Sequence, residues 1–279
     1  MDEKVVDIAY MDGEFREYVG RRIPTKNTHG TGCGFSSAIT AEIAKGRSLL
    51  DAIEVAKVFI ENAVEYGLPI GKCYGPINPI SWMQIPAEKY HVINVLSEAI
   101  ELLEEHSEVS SVIPEVQSNI AMALPKFYLR SVKDVAGIPG RIVKFKEGVK
   151  ASGAPEFGAS SHLARILLKV MSYDPDVRSM MNIKYEPKVV EACERLGLKI
   201  SFFDRGEEPR ELKAVEGGSL PWGVDRAINK IGEVPDIIYD KGDFGKEPMV
   251  RVFGKDALEV SKKVINIANE LDTKISKGQ

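Results

Sequence analysis

One stretch constrains the fold of this chain more than any other: Gly153-Ala154-Pro155-Glu156-Phe157-Gly158-Ala159-Ser160-Ser161-His162-Leu163-Ala164-Arg165. Gly158 and Ala159 allow a tight backbone approach, and Ser160 stands where a helix N-cap belongs. Behind it Leu163, Ile166, Leu167, Val170 and Met171 recur at helical spacing and form one apolar stripe. A helix of this kind must bury that stripe, while its first turn leaves backbone N–H groups free at the positive end of the dipole. A phosphate fits there without a lysine. His162 falls in the same turn, where the positive field favours neutral imidazole. Such a ring donates one hydrogen bond and accepts another. From this stretch alone, a glycine loop capping an ordinary core helix is an equal alternative.

Composition bounds the rest. At 279 residues the chain has room for one large or two modest domains, and 44% hydrophobic with 28% charged residues fits a water-soluble globular protein. A net charge of -4 argues against a general nucleic-acid binder. No apolar run approaches membrane-spanning length, and Met1-Asp2-Glu3-Lys4 does not open a signal peptide. Cys33, Cys73 and Cys193 form no CxxC pair, which fits a reducing cytoplasm.

Two segments accompany the Gly-rich stretch. Pro139-Gly140-Arg141-Ile142-Val143-Lys144-Phe145 reads as a short strand opened by a glycine and a guanidinium. Downstream lies Asp240-Lys241-Gly242-Asp243-Phe244-Gly245-Lys246-Glu247-Pro248-Met249-Val250-Arg251-Val252-Phe253. Together with Gly217-Gly218-Ser219-Leu220-Pro221-Trp222-Gly223, these motifs resemble, in order, the thiamine-phosphate synthase domain that follows a hydroxymethylpyrimidine-phosphate kinase in archaeal two-domain proteins. The resemblance runs from about Ala87 to near the C-terminus.

The N-terminal part reads differently. Residues 5 to 18 form a hairpin pattern turning at Asp12-Gly13. Next, Asn27-Thr28-His29-Gly30-Thr31-Gly32-Cys33-Gly34 leads into a helix expected from about Phe35 to Lys45, with a second from Leu49 to Tyr66. This run and Gly75-Pro76-Ile77-Asn78-Pro79 resemble the C-terminal end of a ribokinase-like hydroxymethylpyrimidine-phosphate kinase. The resemblance implies an anion hole at Gly30, Thr31, Gly32 and Cys33, with Cys33 matching the family's catalytic base. The family's N-terminal sheet has no counterpart in these 279 residues, so kinase activity is expected to be lost by truncation and Cys33 to be a relic.

Leu68 to Pro86 is rich in Gly and Pro and reads as a linker, dividing residues 1–86 from 87–279. Glu88 to His106 follows as a clear amphipathic helix. Beyond it, strands are expected near 119–124, 141–146, 180–185, 199–203, 236–239 and 249–253. Helices are expected at 161–172, 187–196, 222–231 and 256–271. Alternation of this kind argues for a layered α/β sheet covered on both faces. The resemblance implies a three-layer α/β/α domain related to class II aldolase-like folds.

The resemblance also implies a reaction. The family couples 4-amino-5-hydroxymethyl-2-methylpyrimidine diphosphate to 4-methyl-5-(2-phosphoethyl)-thiazole, giving thiamine phosphate and diphosphate. Arg141 and His162 match its catalytic arginine and histidine. Gly158, Ala159, Ser160, Ser161 and Lys246 are expected at phosphates, and Asn119, Asp243 and Glu247 at substrate, the two acids with Mg²⁺. Asn119 equally suits strand capping, while Glu207 and Glu208 are expected in solvent. Implied partners are the two phosphorylated small molecules and a second copy in a homodimer, with no nucleic acid or membrane. The alternative is a thiamine-phosphate sensor of the same family, in which the catalytic residues are altered. An aldolase-type metalloenzyme would need clustered histidines, and His29, His91, His106 and His162 are scattered.

Overall fold

A computed structural model describes residues 4–209 and 219–275, so Gly217 and Gly218 of the Gly-Gly-Ser-Leu-Pro-Trp-Gly motif lie outside the described residues. The chain divides into two compact units, Met1–Ala87 and Glu88–Gln279.

The first unit opens on the expected hairpin, β1 (Lys4–Met11) paired antiparallel with β2 (Glu14–Arg21). Asp12 and Gly13 turn it with φ of 52° and 86°, the left-handed pair that matches strand twist. Helices α1 (Thr31–Ala44) and α2 (Leu49–Glu65) follow. α1 begins four residues before the expected Phe35: Gly30, at φ 89°, bends the chain so that Thr31-Gly32-Cys33-Gly34 is the helix's own first turn. α2 buries Ala52, Ile53, Ala56, Ile60 and Ala63 on one stripe. The two kinase-like segments are zipped together, His29 N–H donating to Gly75 at 3.0 Å and Ile77 N–H to His29 at 3.0 Å.

The expected linker ends early. Helix α3 (Ser81–Glu105) starts seven residues before its predicted boundary and carries Pro86 inside it. Pro86 removes one N–H from the second turn, a local loss the other turns of a 25-residue helix outweigh.

In the second unit, β3 (Ile120–Ala123), β4 (Val135–Gly137), β7 (Glu156–Phe157), β8 (Ser179–Lys184), β9 (Ile200–Phe202), β10 (Ile237–Asp240) and β11 (Met249–Gly254) form a seven-stranded sheet ordered β7-β4-β3-β8-β11-β10-β9. Only β9 and β10 run parallel; the other pairs are antiparallel. β5 (Ile142–Phe145) and β6 (Gly148–Ala151) make a separate ribbon, so the strand expected at Arg141 stands outside the main sheet.

The sheet's period-two alternation sorts its side chains into two cores. Ile120, Met122, Met181, Ile183, Val250 and Val252 face α3, α5 (Pro187–Arg195) and α7 (Ala257–Ile275). Ala121, Ala123, Met180, Ile238 and Phe253 face α4 (Ser161–Val170) and α6 (Ser219–Ile231). Small alanines on β3 let α4 sit close to the sheet. The result is three layers, α/β/α, each buried Leu, Ile, Val, Met or Phe contributing about 1.5–3 kcal/mol of transfer free energy. Among the described residues no helix is long and apolar enough to cross a membrane.

Candidate active site

A cavity of about 710 Å³ opens at the N-terminus of α4, on the sheet face that α4 and α6 cover. Strand residues Met180, Asn182, Met249 and Arg251 line it, with Ala159 to Leu163 of the helix entry, Gly140-Arg141, and Gly245-Lys246-Glu247.

The helix entry is built to leave amides open. Gly158 at φ 81° turns the chain out of β7, its N–H held by the Val135 carbonyl at 2.9 Å. Ser160 occupies the N-cap position, yet its hydroxyl makes no capping bond. The first helical bond is Ala164 N–H to Ser160 O at 3.1 Å, so the preceding amides have no partner within the helix. Ala159, Ser160 and Ser161 line the cavity, and Gly158 shapes the turn behind it.

Arg141 arrives with a strained backbone. Its φ is 88°, directly after Gly140 at 78°, and a side chain in this region costs of order 1–3 kcal/mol. The strain aims the guanidinium at the cavity, where Nη1 donates to the Val116 carbonyl at 2.8 Å. Glu247 grips the same segment from the other side, accepting from Glu115 N–H at 2.9 Å and Val116 N–H at 3.1 Å.

His162 is an exposed residue that lines the cavity, partly desolvated by the protein packed around it. Desolvation by that packing lowers its pKa from 6.5, and the charges of Arg251, Arg165, Arg141 and Arg205 lower it further. The ring is therefore neutral at neutral pH.

Four further residues were not anticipated as site residues. Asp240, fully buried, accepts from Arg205 Nε at 2.6 Å and from Arg251 Nη1 at 2.8 Å, and both arginines line the cavity. Asn182 lines it too, its carbonyl oxygen taking the Asn119 N–H at 2.8 Å. The signal in the sequence was Arg251 itself, a charge in the middle of the apolar run Met249-Val250-Arg251-Val252-Phe253. A charge there stays buried only with a partner.

Of three further expectations, two need correction. The Asn119 carboxamide donates to Ile138 O at 2.8 Å and accepts Ile138 N–H at 3.0 Å, extending the β3–β4 ladder. This is the strand-capping role, and Asn119 also lines the cavity. Asn119→Ala strips two buried backbone groups of their partner and is expected to cost about 1–3 kcal/mol in urea unfolding. Asp243 does not line the cavity; it closes a tight turn with Lys246 (2.8 and 3.1 Å) and accepts Phe244 N–H. Glu208 is buried, 5% exposed, and lies 3.7 Å from the Lys246 ammonium, which it holds at the cavity rim.

A resident Mg²⁺ does not fit this donor set. Both oxygens of Glu247 are taken by amides, Asp243 faces its own turn, and among the described residues no three His, Cys, Asp or Glu side chains gather.

A second cavity, of about 600 Å³, lies in the first unit and is lined by Gly30 and Cys33 with Phe59, Ile77 and Trp82. Thr31 and Gly32 stay out of its lining, and Thr31 Oγ1 donates to Thr28 O at 2.7 Å.

Two family models match the chain. Residues 1–78 match the phosphomethylpyrimidine kinase model and residues 95–266 the thiamine-phosphate synthase ThiN model. The bifunctional thiamine biosynthesis protein ThiDN of Methanocaldococcus jannaschii is 45% identical over 240 residues, 86% of this chain and 54% of that protein. The chain thus spans about half the length of that relative. The thiamine-phosphate synthase ThiN of Methanothermobacter thermautotrophicus is 41% identical over 169 residues, 61% of this chain and 88% of that protein. A crystal structure described as the C-terminal domain of phosphomethylpyrimidine kinase superposes with a TM-score of 0.61 at 47% identity, over 64% of this chain and all of that one. With the synthase model covering well over half of its residues, the cavity's among them, the chain belongs to the thiamine-phosphate synthase ThiN family.

Proposed function

We propose that residues 87–279 couple 4-amino-5-hydroxymethyl-2-methylpyrimidine diphosphate to 4-methyl-5-(2-phosphoethyl)-thiazole, releasing thiamine phosphate and diphosphate. The observation that carries this is the meeting of Arg141, the uncapped N-terminus of α4 and His162 at one cavity. Among the described residues four cationic side chains (Arg141, Arg205, Lys246 and Arg251) and one carboxylate line it, a balance suited to two anionic substrates.

In this reading the bond between the pyrimidine methylene and the diphosphate oxygen breaks first, its electron pair leaving with diphosphate. Arg141 clamps a departing phosphate through its fork, and the free amides of α4 take further oxygens. The resonance-stabilised pyrimidine methyl cation is then attacked by the thiazole nitrogen. Leu163, Ile166, Met180 and Leu220 line the apolar part of the cavity and keep out water, which would capture the cation instead. Neutral His162 donates to the diphosphate or the pyrimidine and accepts a second hydrogen bond. No side chain acts as nucleophile. Any Mg²⁺ would come bound to the diphosphate and would supply neutralising charge as that group leaves.

Purified chain given both phosphorylated halves with Mg²⁺ is expected to form thiamine phosphate and release diphosphate. No turnover, with tight binding of thiamine phosphate, would establish the sensor alternative. The presence of both Arg141 and His162 favours the enzyme.

A further inference from the structure

The coupling as described gives Arg205, Asp240 and Arg251 no contact of their own with either substrate. The two arginines are 7% and 3% exposed and share one fully buried carboxylate. Among the described residues Asp240 is the one carboxylate that bonds the pair and it balances one guanidinium, so a unit of positive charge remains in the cluster where water cannot solvate it well. Phe203 supports both groups, its ring centroid 5.6 Å from the Arg205 guanidinium carbon and 5.5 Å from that of Arg251. A structural ion pair needs only one arginine. A second one lining a cavity is balanced when an anion enters.

We propose that Arg205 and Arg251, oriented by Asp240, form a phosphoryl seat separate from the one made by Arg141 and the α4 N-terminus. This deepens the coupling reading and rests on it for the ligand: joining two phosphorylated halves requires two anion seats. The phosphoryl group is either that of the thiazole half, which thiamine phosphate retains, or one of the leaving diphosphate.

Calorimetric titration of the full chain with inorganic diphosphate and, separately, with thiamine phosphate distinguishes these sources. Arg251→Met leaves Asp240 paired one-to-one with Arg205, so the cluster loses its excess charge without stranding the carboxylate. Affinity for one ligand is expected to fall about ten- to a hundredfold, and the ligand affected identifies the phosphoryl group seated there. Should circular dichroism find Arg251→Met unfolded, Arg205→Lys, which keeps the charge and loses the fork, is expected to weaken the same ligand about three- to tenfold. Unchanged affinity for both ligands in a folded variant overturns the seat. A wild type that makes no thiamine phosphate yet loses diphosphate affinity on Arg251→Met keeps the seat and sinks the coupling. Turnover with unchanged variant affinities does the reverse.

Discussion

Arg141→Lys is expected to slow single-turnover formation of thiamine phosphate by about two to three decades, although the charge is retained. Lysine offers a point charge where the guanidinium offers two parallel N–H donors, so the second contact with a departing phosphate is lost. A contact that strengthens as diphosphate leaves contributes about 2–4 kcal/mol to the barrier, which sets the size of the effect. The backbone makes this comparison clean. At φ 88° Lys suffers the same left-handed strain as Arg, so folding stability should differ little between the two. The lost bond from Nη1 to Val116 O is a single exposed contact, worth far less than the rate effect. Circular dichroism and the single-turnover rate together check the prediction. A folded Arg141→Lys with near-wild-type rate means the catalytic site lies elsewhere.

Much of this site was legible in the sequence because its signals are local. The run from Gly158 to Met171 carries turn, cap position and stripe within fourteen consecutive residues, and the structure builds the helix where the pattern puts it. Elements set by long-range pairing were less visible. β4 and β7 are three and two residues long, too short for alternation to register, and exist because β3 pairs with β4 and Ala136 and Gly137 of β4 pair with β7. Pro86 misled for a related reason: its local preference was overruled by the helix that continues on both sides. Glu208 and Asp240 have no periodic signature: Asp240 ends β10 and is buried with Arg251 of β11 and with Arg205. Asn119 shows the converse limit. Its residue type suggested a ligand contact, and only the positions of Ile138 and Asn182 reveal a ladder bridge.

The prediction on His162 separates a simple donor from a ring whose proton matters. Gln reaches about as far and keeps one N–H, while losing the second ring nitrogen and the ability to titrate. Because α4 already supplies plain amide donors at the cavity, a further one adds little, so His162→Gln should fail nearly as badly as His162→Ala, by about two to three decades. The pH profile gives an independent reading. Desolvation and the surrounding guanidinium charges lower the His162 pKa, so the neutral ring persists below pH 6.5 and the rate falls only as acid protonates it. The midpoint of the acid limb of the wild-type rate should therefore fall below pH 6.5. Phosphate groups also titrate near pH 6, so the limb alone is ambiguous. Arg165 resolves it. This arginine is absent from the cavity lining, yet its charge helps hold the His162 pKa down. Arg165→Met should therefore leave the rate at about pH 8 unchanged and shift the acid limb toward higher pH, which a substrate phosphate would not do. A limb that stays in place in Arg165→Met, with His162→Gln turning over at close to the wild-type rate, would reduce His162 to a spectator and leave Arg141 and the helix amides to carry the reaction.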